Sequence, residues 1–532
     1  MIHDRFLVQA QRTPDALALE SVHGACSYRE LEQVSRALAC SLAERGVGPG
    51  QTVAVYAERG PALVFCLLAV LRTGAAFVVL DAAYPIARLL ACAQQVHPRL
   101  LLVAGELAVP AAFELPVARV PSTVSAARAL LAAFLEAEAP TLHAPLAYYS
   151  FTSGSTGAPK GIATSHAPLP HFVDWHVEHG ALDAADRFSM LSGLGHDPLL
   201  RDVFTPLSIG AALCIPTQAT LFDAEALFAW FEQQRITIAH LTPAFGQILL
   251  AGGTRTLPSL RRMYWGGDVL TRSLLRAIRR IAPHAAHTNF YGATETPQAM
   301  AYFELEPELE GDAPIPLGRG ITDAQLLVLD AQQRRCAPGE LGELWICSPY
   351  LSDGYLDDAQ TAARFVTLAE GRGYRTGDLG RYLESGDVLF AGRRDDQLKL
   401  RGFRVEPAEI VGALERVPGV ERAVVKLIEQ QLIAYVQHGT AAAPSQLREQ
   451  LLAELPSYMV PQSFVLMAAF PLLPNGKVDL QALPVPQRAG GRGPRNEAER
   501  QLALIWTELL GLDEVSIDKS VLELGGDSLS AI

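Results

Sequence analysis

"SFTSGSTGAPKGI", residues Ser150–Ile162, combines three glycines, three serines, two threonines and one lysine directly after the strand-like segment "LAYYSF". Glycine lets backbone N–H groups surround an anion, the hydroxyl groups add donors, and Lys160 adds a positive charge. The spacing differs from the G-x-x-x-x-G-K-[ST] pattern of P-loop NTPases. Glycine- and serine-rich loops are often plain connections, but the lysine that follows Gly157 and Pro159 favours a phosphate-binding loop.

Around this loop, from about Gln51 to Gln360, short β-branched runs alternate with helical stretches rich in alanine and leucine. The strand-like runs include "TVAVYA", "AFVVL", "RLLLVAG" and "ALCIP", whereas "PALVFCLLAVLRTG" is typical of a helix. This alternation predicts parallel sheets with crossover helices, an α/β architecture. From about Asp396 to Leu483 the segments shorten and predict a small α+β domain.

A linker is indicated by "ALPVPQRAGGRGPRNEAER", which is rich in proline, glycine and arginine. Asn496 and Glu499 then have the spacing of a capping box, and apolar residues recur at helical spacing after them. These changes predict a large domain, a small domain, a linker and the start of a helical domain, over residues 1–394, 395–484, 485–495 and 496–532 respectively.

Composition points to small-molecule chemistry. The 532 residues are 49% hydrophobic and 19% charged, with a formal net charge of −13 and a pI of about 5.5. This acidity disfavours broad binding to nucleic acid or to anionic lipid. The longest apolar run, from Ala62, is too short to span a bilayer, and the N-terminus lacks the apolar region of a signal peptide, so we expect a cytoplasmic protein. The seven cysteines are scattered and indicate neither a zinc site nor a disulfide framework.

Nine short motifs occur in order along nearly the whole chain: "CSYREL", "LRTGAAFVVLD", "YYSFTSGSTGAPKG", "NFYGATE", "GELGELWI", "YRTGDL", "GRRDDQLKLRGFRVEPAEI", "LPSYMVP" and "NGKVD". With this series the chain resembles an adenylation domain of a non-ribosomal peptide synthetase, in the adenylate-forming family that also contains acyl-CoA synthetases and luciferases. The resemblance implies a large N-terminal domain of parallel β-sheets flanked by helices, a small C-terminal α+β domain and then part of a helical peptidyl carrier domain.

The resemblance also implies a reaction in two steps. The carboxylate of an amino acid attacks the α-phosphorus of ATP and expels pyrophosphate, and a thiol then captures the aminoacyl adenylate. Both steps depend on charge stabilisation and positioning more than on acid–base groups. The residues that the resemblance makes catalytic are Lys477, Glu295, Lys160 and Thr294.

For the nucleotide, the resemblance places Tyr291 near adenine, Thr294 against the nucleotide and Glu295 on Mg²⁺, a hard cation that suits carboxylate and phosphate oxygens. Asp378 would accept hydrogen bonds from the ribose hydroxyls, with Arg393 nearby. The alternative for Asp378 is a plain turn aspartate, since T-G-D is good turn chemistry. The full set of expected nucleotide-binding residues is Thr152, Ser153, Gly154, Ser155, Thr156, Gly157, Tyr291, Gly292, Asp378 and Arg393.

Lys477, in "PNGKVD", lies on an expected turn, where a lysine is usually a solvated surface charge. By resemblance it bridges the substrate carboxylate and the phosphate during adenylation. Asp395 matches the hinge about which the small domain rotates between the half-reactions. After rotation Lys399 and Gly402 would face the active site in place of Lys477, so catalysis implies domain closure.

Asp197, in "GLGHDPLLRDVF", matches the carboxylate that pairs with the substrate's α-ammonium and thereby selects amino acids. Asp197 and Pro198 are also a good N-cap and N1 pair for the following helix, and the two roles are compatible. The remaining pocket positions implied by the resemblance are Pro198, Arg201, His240, Tyr264, Gly266, Phe290, Gln298 and Ala299.

Several of these pocket side chains are bulky, so a small amino acid is one hypothesis for the substrate. Arg201 and His240 would instead meet a polar or acidic side chain, because a buried cation needs a partner. In a third interpretation Arg201 pairs with Asp202 or another carboxylate and never contacts the ligand. Which amino acid is activated stays open at this point.

Three positions depart from the family pattern. His196 stands for the usual phenylalanine, Ala293 for the usual proline of "YGPTE", and Leu480 for the usual arginine after "NGKVD". The first weakens the pocket assignment, whereas the other two leave Glu295 and Lys477 in place.

The last residues, "LGGDSLSAI", match the start of a carrier domain in which Ser528 receives 4′-phosphopantetheine, although Asp527 or Ser528 would also suit an ordinary helix N-cap. Residues 496–532 make up only the first part of such a helical bundle, so we expect Ser528 to be modified poorly and the end to be a truncation. Expected partners are an amino acid, a carrier domain in cis, a phosphopantetheinyl transferase, an MbtH-like protein and downstream synthetase modules.

Two other functions compete with this interpretation. An acyl- or aryl-CoA ligase would use the same fold and first half-reaction with free coenzyme A as acceptor, and Asp197 and the carrier-like segment argue against it. A non-catalytic module that only binds nucleotide is disfavoured because Lys160, Glu295, Asp378 and Lys477 are all present.

Overall fold

The computed structural model describes residues 1–138, 142–154, 158–306, 311–395, 397–400, 402–428, 431–438, 443–471, 478–484, 492–510 and 515–517. Two compact units are formed. The first comprises Met1–Ala83, Leu89–Thr152 and Pro159–Phe403. The second comprises Tyr84–Arg88, the described part of Ser153–Ala158 and the described residues from Arg404 onward. Because the units do not divide the chain at a single point, the domain limits given above stay predictions.

The described helices are α1 Asp4–Arg12, α2 Tyr28–Glu44, α3 Pro61–Arg72, α4 Ile86–Val96, α5 Val124–Leu130, α6 Pro168–Gly180, α7 Pro198–Ile209, α8 Gln218–Phe222, α9 Ala224–Gln233, α10 Pro243–Ala251, α11 Arg272–Ile281, α12 Asp358–Arg364, α13 Pro407–Glu415, α14 Pro444–Glu454 and α15 Glu497–Leu510. Short 3₁₀ turns occur at Ala132–Phe134 and Ser457–Met459.

The described strands are β1 Leu17–Ser21, β2 Gly24–Ser27, β3 Thr52–Ala57, β4 Ala76–Asp81, β5 Leu100–Ala104, β6 Val117–Val120, β7 Leu146–Thr152, β8 Lys160–Ser165, β9 Arg187–Ser189, β10 Ala212–Cys214, β11 Ile238–Leu241, β12 Arg262–Trp265, β13 Ala286–Tyr291, β14 Ala301–Leu305, β15 Arg319–Gly320, β16 Gln325–Leu329, β17 Gly342–Cys347, β18 Gly354–Tyr355, β19 Phe365–Leu368, β20 Gly371–Tyr382, β21 Val388–Arg393, β22 Leu398–Leu400, β23 Phe403–Val405, β24 Val420–Ile428, β25 Gln431–His438 and β26 Ser463–Met467.

In the first unit, the largest sheet has the strand order β15-β14-β13-β12-β11-β9-β10-β1-β2. Its central strands β10, β9, β11, β12 and β13 run parallel to one another. Ligands of open parallel sheets bind beyond the carboxyl ends of the strands. The segments that follow β9, β11, β12 and β13 therefore form the place to look for a site.

A second sheet has the order β18-β8-β7-β4-β3-β5-β6. Its strands β3 and β5 are buried along their whole length, as expected for parallel strands covered on both faces. Helix α3 is the longest apolar run of the sequence, and every one of its residues from Pro61 to Arg72 is buried. A helix that is apolar all round belongs in the interior of a domain. The α/β class is confirmed, and no described helix is long and apolar enough to cross a membrane.

The third sheet of this unit has the strand order β16-β17-β20-β19, and β21 also pairs with β20. The pairing of β20 and β21 places Asp378 directly opposite Arg393. Asp378 therefore lies within a strand, so the interpretation as a plain turn aspartate is wrong.

In the second unit, β24, β25 and β26 form a three-stranded sheet in this order. Ile433, Tyr435, Phe470 and Leu483 form one of its apolar clusters. Farther along, α15 begins as predicted, since the Asn496 side chain accepts a hydrogen bond from the Glu499 N–H at 2.9 Å. In a capping box, the Glu499 carboxylate would accept from the N–H of Asn496 itself. Here it accepts instead from the N–H of the preceding residue, Arg495, at 2.7 Å.

Candidate active site

Tyr291, Asp378 and Arg393 form a buried cluster at the end of β13. The Tyr291 hydroxyl donates to Asp378 Oδ2 at 2.7 Å, and Arg393 donates to Oδ1 of the same carboxylate. Burial, followed by the charge of Asp378, raises the pKa of the Tyr291 hydroxyl well above its usual range. Tyr291 is therefore a neutral donor that orients the carboxylate, and Asp378 keeps acceptor capacity for the hydroxyls of a ligand.

Lys399 joins this cluster from β22. Its ammonium donates to Asp378 Oδ2 at 3.4 Å and lies 5.4 Å from the centroid of the Tyr291 ring. A cation over the face of an aromatic ring is attracted by the ring quadrupole. The motif series marked Lys399 as a thioester-face residue, but no spacing rule predicted its contact with Asp378.

Asp395, the expected hinge, lies immediately beyond β21. Its carboxylate accepts from Arg393 Nε at 2.7 Å and from Arg364 Nη2 at 3.5 Å. Burial alone would raise the pKa of Asp395, but the hydrogen bonds and charges of these two arginines outweigh burial and lower it. Gly402, the other predicted residue of this segment, has a φ of +88°, and a Cβ there would lie 2.6 Å from Cγ2 of Thr242.

Glu295 is fully buried just after β13. Its carboxylate accepts a hydrogen bond from the Tyr355 hydroxyl, which lies 3.3 Å from the hydroxyl of Tyr374. A buried carboxylate oriented by a phenol supplies the oxygen ligand that a hard divalent cation prefers. Neither tyrosine was identified as a site residue from the sequence: Tyr355 lies outside the nine motifs, and Tyr374, the first residue of "YRTGDL", was given no role.

The glycine-rich loop connects two antiparallel strands, β7 and β8, in which Thr152 is opposite Lys160. The buried Thr152 hydroxyl has no hydrogen-bond partner in the described structure. An orphaned buried hydroxyl at the base of such a loop fits a ligand with acceptor oxygens. The expected residues Ser155, Thr156 and Gly157 lie outside the described residues, as do Lys477 and Ser528.

Two further loop residues group with the second unit. The Ser153 hydroxyl donates to the carbonyl of Arg404 at 2.8 Å, and the Gly154 N–H donates to Glu409 Oε2 at 2.9 Å. Arg88 donates to the other oxygen of Glu409 at 2.5 Å. The Gly154 N–H thus donates to an anionic oxygen, as the backbone N–H groups of a phosphate-binding loop do.

Asp197 is 5% exposed and immediately precedes α7, with Pro198 in the first helical turn. Asp197 occupies the predicted N-cap position, but its side chain makes no capping hydrogen bond, so only that part of the prediction is wrong. The carboxylate instead accepts from the Gln298 N–H at 3.2 Å and from the Thr294 side chain. The backbone of Asp197 is itself helical, with φ of −59° and ψ of −29°, whereas a capping side chain needs an extended backbone at this position. Burial, despite these bonds, raises the pKa of Asp197.

The aromatic part of the predicted pocket is assembled by the parallel register of the large sheet. His240 in β11 is opposite Tyr264 in β12, and the Tyr264 ring stacks on Phe290 with a centroid distance of 5.0 Å. A Cβ on Gly266 would lie 3.6 Å from Cβ of Phe290. Likewise, a Cβ on Gly292 would lie 3.2 Å from Cα of Ala299. The structure thus brings these predicted pocket residues together.

His240 has both ring nitrogens engaged by protein. Its Nδ1 lies 2.9 Å from Asp202 Oδ1, and its Nε2 lies 3.0 Å from Nε2 of His176. Since a carboxylate only accepts, Nδ1 of His240 carries the proton and Nε2 accepts from His176. Burial lowers the pKa of both histidines. His176 and Asp202 were missed as pocket residues by sequence reasoning, since their spacing fits no motif.

Comparison with known proteins shows the family and the fold of the chain. Residues 6–356 match the family described as AMP-binding enzyme. The chain is 32% identical over 649 aligned residues to the L-2-aminoadipate reductase large subunit of Penicillium chrysogenum, covering 100% of this chain and 46% of that protein. It is 35% identical over 546 residues to a dimodular nonribosomal peptide synthase of Bacillus subtilis (strain 168), covering 100% of this chain and 23% of that protein.

Among solved structures, one described as holo-PA1221, an NRPS protein containing adenylation and PCP domains bound to a vinylsulfonamide inhibitor, is similar at a TM-score of 0.84 and 29% identity. The match covers 100% of this chain and 90% of that one. The chain spans less than half the length of the two curated relatives. The resemblance inferred from the nine motifs is confirmed, and because the family model matches more than half of the chain, this protein belongs to the AMP-binding enzyme family.

Proposed function

We propose that this chain activates an amino acid as its aminoacyl adenylate and passes it to a phosphopantetheine thiol on a carrier domain in cis. Two features together carry the proposal: the buried Asp197 carboxylate, and the Asp378 carboxylate that accepts from Tyr291 and Arg393. A carboxylate held in an aromatic pocket is suited to an α-ammonium group, and the cluster is suited to a ribose. The relatives named for L-2-aminoadipate and for nonribosomal peptide synthesis support an amino acid as the acyl group.

In the first half-reaction, the substrate carboxylate attacks the α-phosphorus of ATP and pyrophosphate leaves. Asp197 anchors the ammonium group, so the carboxylate is directed towards the phosphate. Asp378, oriented by Tyr291 and Arg393, holds the ribose hydroxyls. Lys160 and the glycine-rich loop would bind the phosphates, and Lys477 would bridge the carboxylate and the α-phosphate. Holding these groups in place supplies most of the catalysis.

We also propose that Glu295 holds Mg²⁺. The buried carboxylate and its phenolic donor fit a hard cation, which would neutralise phosphate charge as pyrophosphate departs. Tyr355 fixes the orientation of the Glu295 carboxylate through its hydroxyl.

Transfer of the aminoacyl group requires 4′-phosphopantetheine on Ser528, which a phosphopantetheinyl transferase would attach. The chain would act within a synthetase that has further modules. An MbtH-like partner is also proposed. A cytoplasmic location fits these cosubstrates and the seven cysteines, all of which are free thiols.

Pyrophosphate exchange with the twenty common amino acids tests the proposal. We expect exchange that requires ATP, Mg²⁺ and an amino acid, and loss of at least about 100-fold in kcat/KM for Asp197→Asn, since a charge-assisted contact is removed. Asp174→Asn, in an exposed ion pair with Arg5, serves as the matched control. Activation of acids that lack an amino group, with free coenzyme A as acceptor, would instead show a CoA ligase.

A further inference from the structure

Arg201 is a buried cation whose hydrogen-bonding capacity is largely unused. It lies on α7 with 7% of its surface exposed. Its Nη1 donates to the carbonyl of Gln298 at 3.3 Å, and its guanidinium carbon lies 5.7 Å from the centroid of Phe290. The buried Nε has no hydrogen-bond partner in the described structure. Guanidinium has five N–H donors, and burying it without an anionic acceptor is costly.

Asp202, the carboxylate that follows Arg201 in the chain, already accepts hydrogen bonds from three other donors. It accepts from the N–H groups of Leu191 and Ser192 at 3.1 and 3.0 Å, and from His240 at 2.9 Å. No ion pair joins Arg201 to a carboxylate among the described residues. Asp202 and Asp197 both attract Arg201 through their charge without a described ion pair, so the third interpretation, in which Asp202 or another carboxylate pairs with Arg201, is not supported.

His240 cannot take the place of Arg201 in binding a ligand. His240 donates to Asp202 and accepts from His176, so neither of its nitrogens is left for a ligand. Within the described pocket positions, Arg201 is therefore the cationic side chain with donors to spare.

We propose that the amino acid activated by this chain has a side chain ending in a carboxylate, which pairs with Arg201 while Asp197 binds the α-ammonium group. This inference rests on the proposed function. Asp197 and Arg201 are four residues apart at the start of α7, a separation of about 6 Å along a helix axis. One helical turn thus presents an anion and a cation to the two oppositely charged ends of the substrate.

Gln298 keeps these two charges in place. Its N–H donates to Asp197, its carbonyl accepts from Arg201, and its side-chain amide donates to the Asp197 carbonyl at 3.0 Å. Its φ of +72° is rare for a residue with a side chain. This backbone conformation directs the Gln298 N–H towards the anionic Asp197 and the Gln298 carbonyl towards the cationic Arg201. Gln298 is therefore a positioning residue for Asp197 and Arg201.

Pyrophosphate exchange with isosteric pairs tests the inference: L-aspartate against L-asparagine, L-glutamate against L-glutamine, and L-2-aminoadipate against its side-chain amide. We expect one dicarboxylic acid to exceed its neutral isostere at least 100-fold in kcat/KM. Arg201→Met should remove that preference, and Arg201→Lys should restore part of it. Arg255→Met, in an exposed pair with Glu232, should leave it unchanged.

Binding provides a readout independent of turnover and of the folding of any variant. The non-reactive sulfamoyl adenylates of the preferred acid and of its amide are titrated calorimetrically into the unaltered protein, and the acid should bind at least 100-fold more tightly. Preference for a neutral amino acid in both assays overturns the inference and leaves the proposed function standing. Activation of no amino acid, with no binding of either analogue, overturns both.

Discussion

The buried carboxylate of Asp197 links recognition to stability. Its pKa is raised by burial, so the ionised form is less favourable in the folded, ligand-free protein than in the unfolded chain. The free energy of unfolding should therefore decrease as pH rises through this raised pKa. An arriving ammonium group offsets that cost, which makes the site selective for a cation.

Asp197→Asn should consequently raise the melting temperature of the ligand-free protein at pH 7, by about 2 °C for each kcal/mol of relieved burial cost. Scanning fluorimetry from pH 5 to pH 8 measures this, with Asp174→Asn as control. The difference between variant and unaltered protein should shrink as the pH falls, because Asp197 takes up a proton more readily in the folded protein than in the unfolded chain. A variant that melts lower at pH 7 would contradict this explanation.

The hydroxyl of Tyr291 supports nucleotide binding through Asp378. Tyr291→Phe removes one donor from that carboxylate, and we expect KM for ATP to rise about tenfold, since a hydrogen bond to a charged group contributes about 1.5 kcal/mol. Initial-rate kinetics at saturating amino acid measures the change. Tyr350→Phe, at a tyrosine stacked on His171, is the control. An unchanged KM for ATP would rule out this role.

At the scale of elements, β20 owes the position of Asp378 to the glycine before it. Gly377 has a φ of +80°, and a Cβ there would lie 2.7 Å from Asp395 Oδ2 and 3.0 Å from Arg393 Nη2. Gly386 has nearly the same φ, +82°, but no atom within 4 Å of its would-be Cβ. Substitutions at the two glycines therefore distinguish the effect of backbone strain, which they share, from that of steric crowding, which occurs only at Gly377.

Gly377→Ala and Gly386→Ala should each lose about 1 kcal/mol of stability for the left-handed backbone. Gly377→Ala alone should also displace Asp378 and Arg393, and lower kcat/KM for ATP at least tenfold. Urea denaturation and exchange kinetics measure the two effects. The same kcat/KM for ATP in both variants would contradict this account, because it would show that a Cβ at Gly377 does not disturb Asp378 and Arg393.

Sequence patterns predicted elements better than they predicted side-chain partners. Helix α3 and strands β3 and β5 follow from their continuous apolar composition, because burial on all sides leaves a composition signal. Asp197 was expected to cap α7, but Gln298, about a hundred residues later, competes for its carboxylate. The contact of Asp202 with His240 likewise joins α7 to β11. Such contacts depend on sheet register, which local spacing does not contain.

For the molecule as a whole, the two lysines Lys477 and Lys399 divide the proposed reaction. Lys477→Ala should abolish amino-acid-dependent pyrophosphate exchange and leave transfer from a preformed adenylate largely intact. Lys399→Ala should impair transfer more than exchange, although its contact with Asp378 predicts some effect on ATP binding. Single-turnover assays of each half-reaction measure these effects. Equal loss of both half-reactions in Lys477→Ala would contradict the division.

The formation of an aminoacyl adenylate is tested by following an oxygen atom. The preferred amino acid, labelled with ¹⁸O in its α-carboxylate, is incubated with ATP, Mg²⁺ and the protein, and the AMP released after hydrolysis or thiol transfer is analysed by mass spectrometry. Attack of the carboxylate on the α-phosphorus leaves one ¹⁸O atom in AMP when the acyl carbon is later attacked. We predict singly labelled AMP and unlabelled pyrophosphate; unlabelled AMP, or ADP with labelled phosphate, would contradict adenylation.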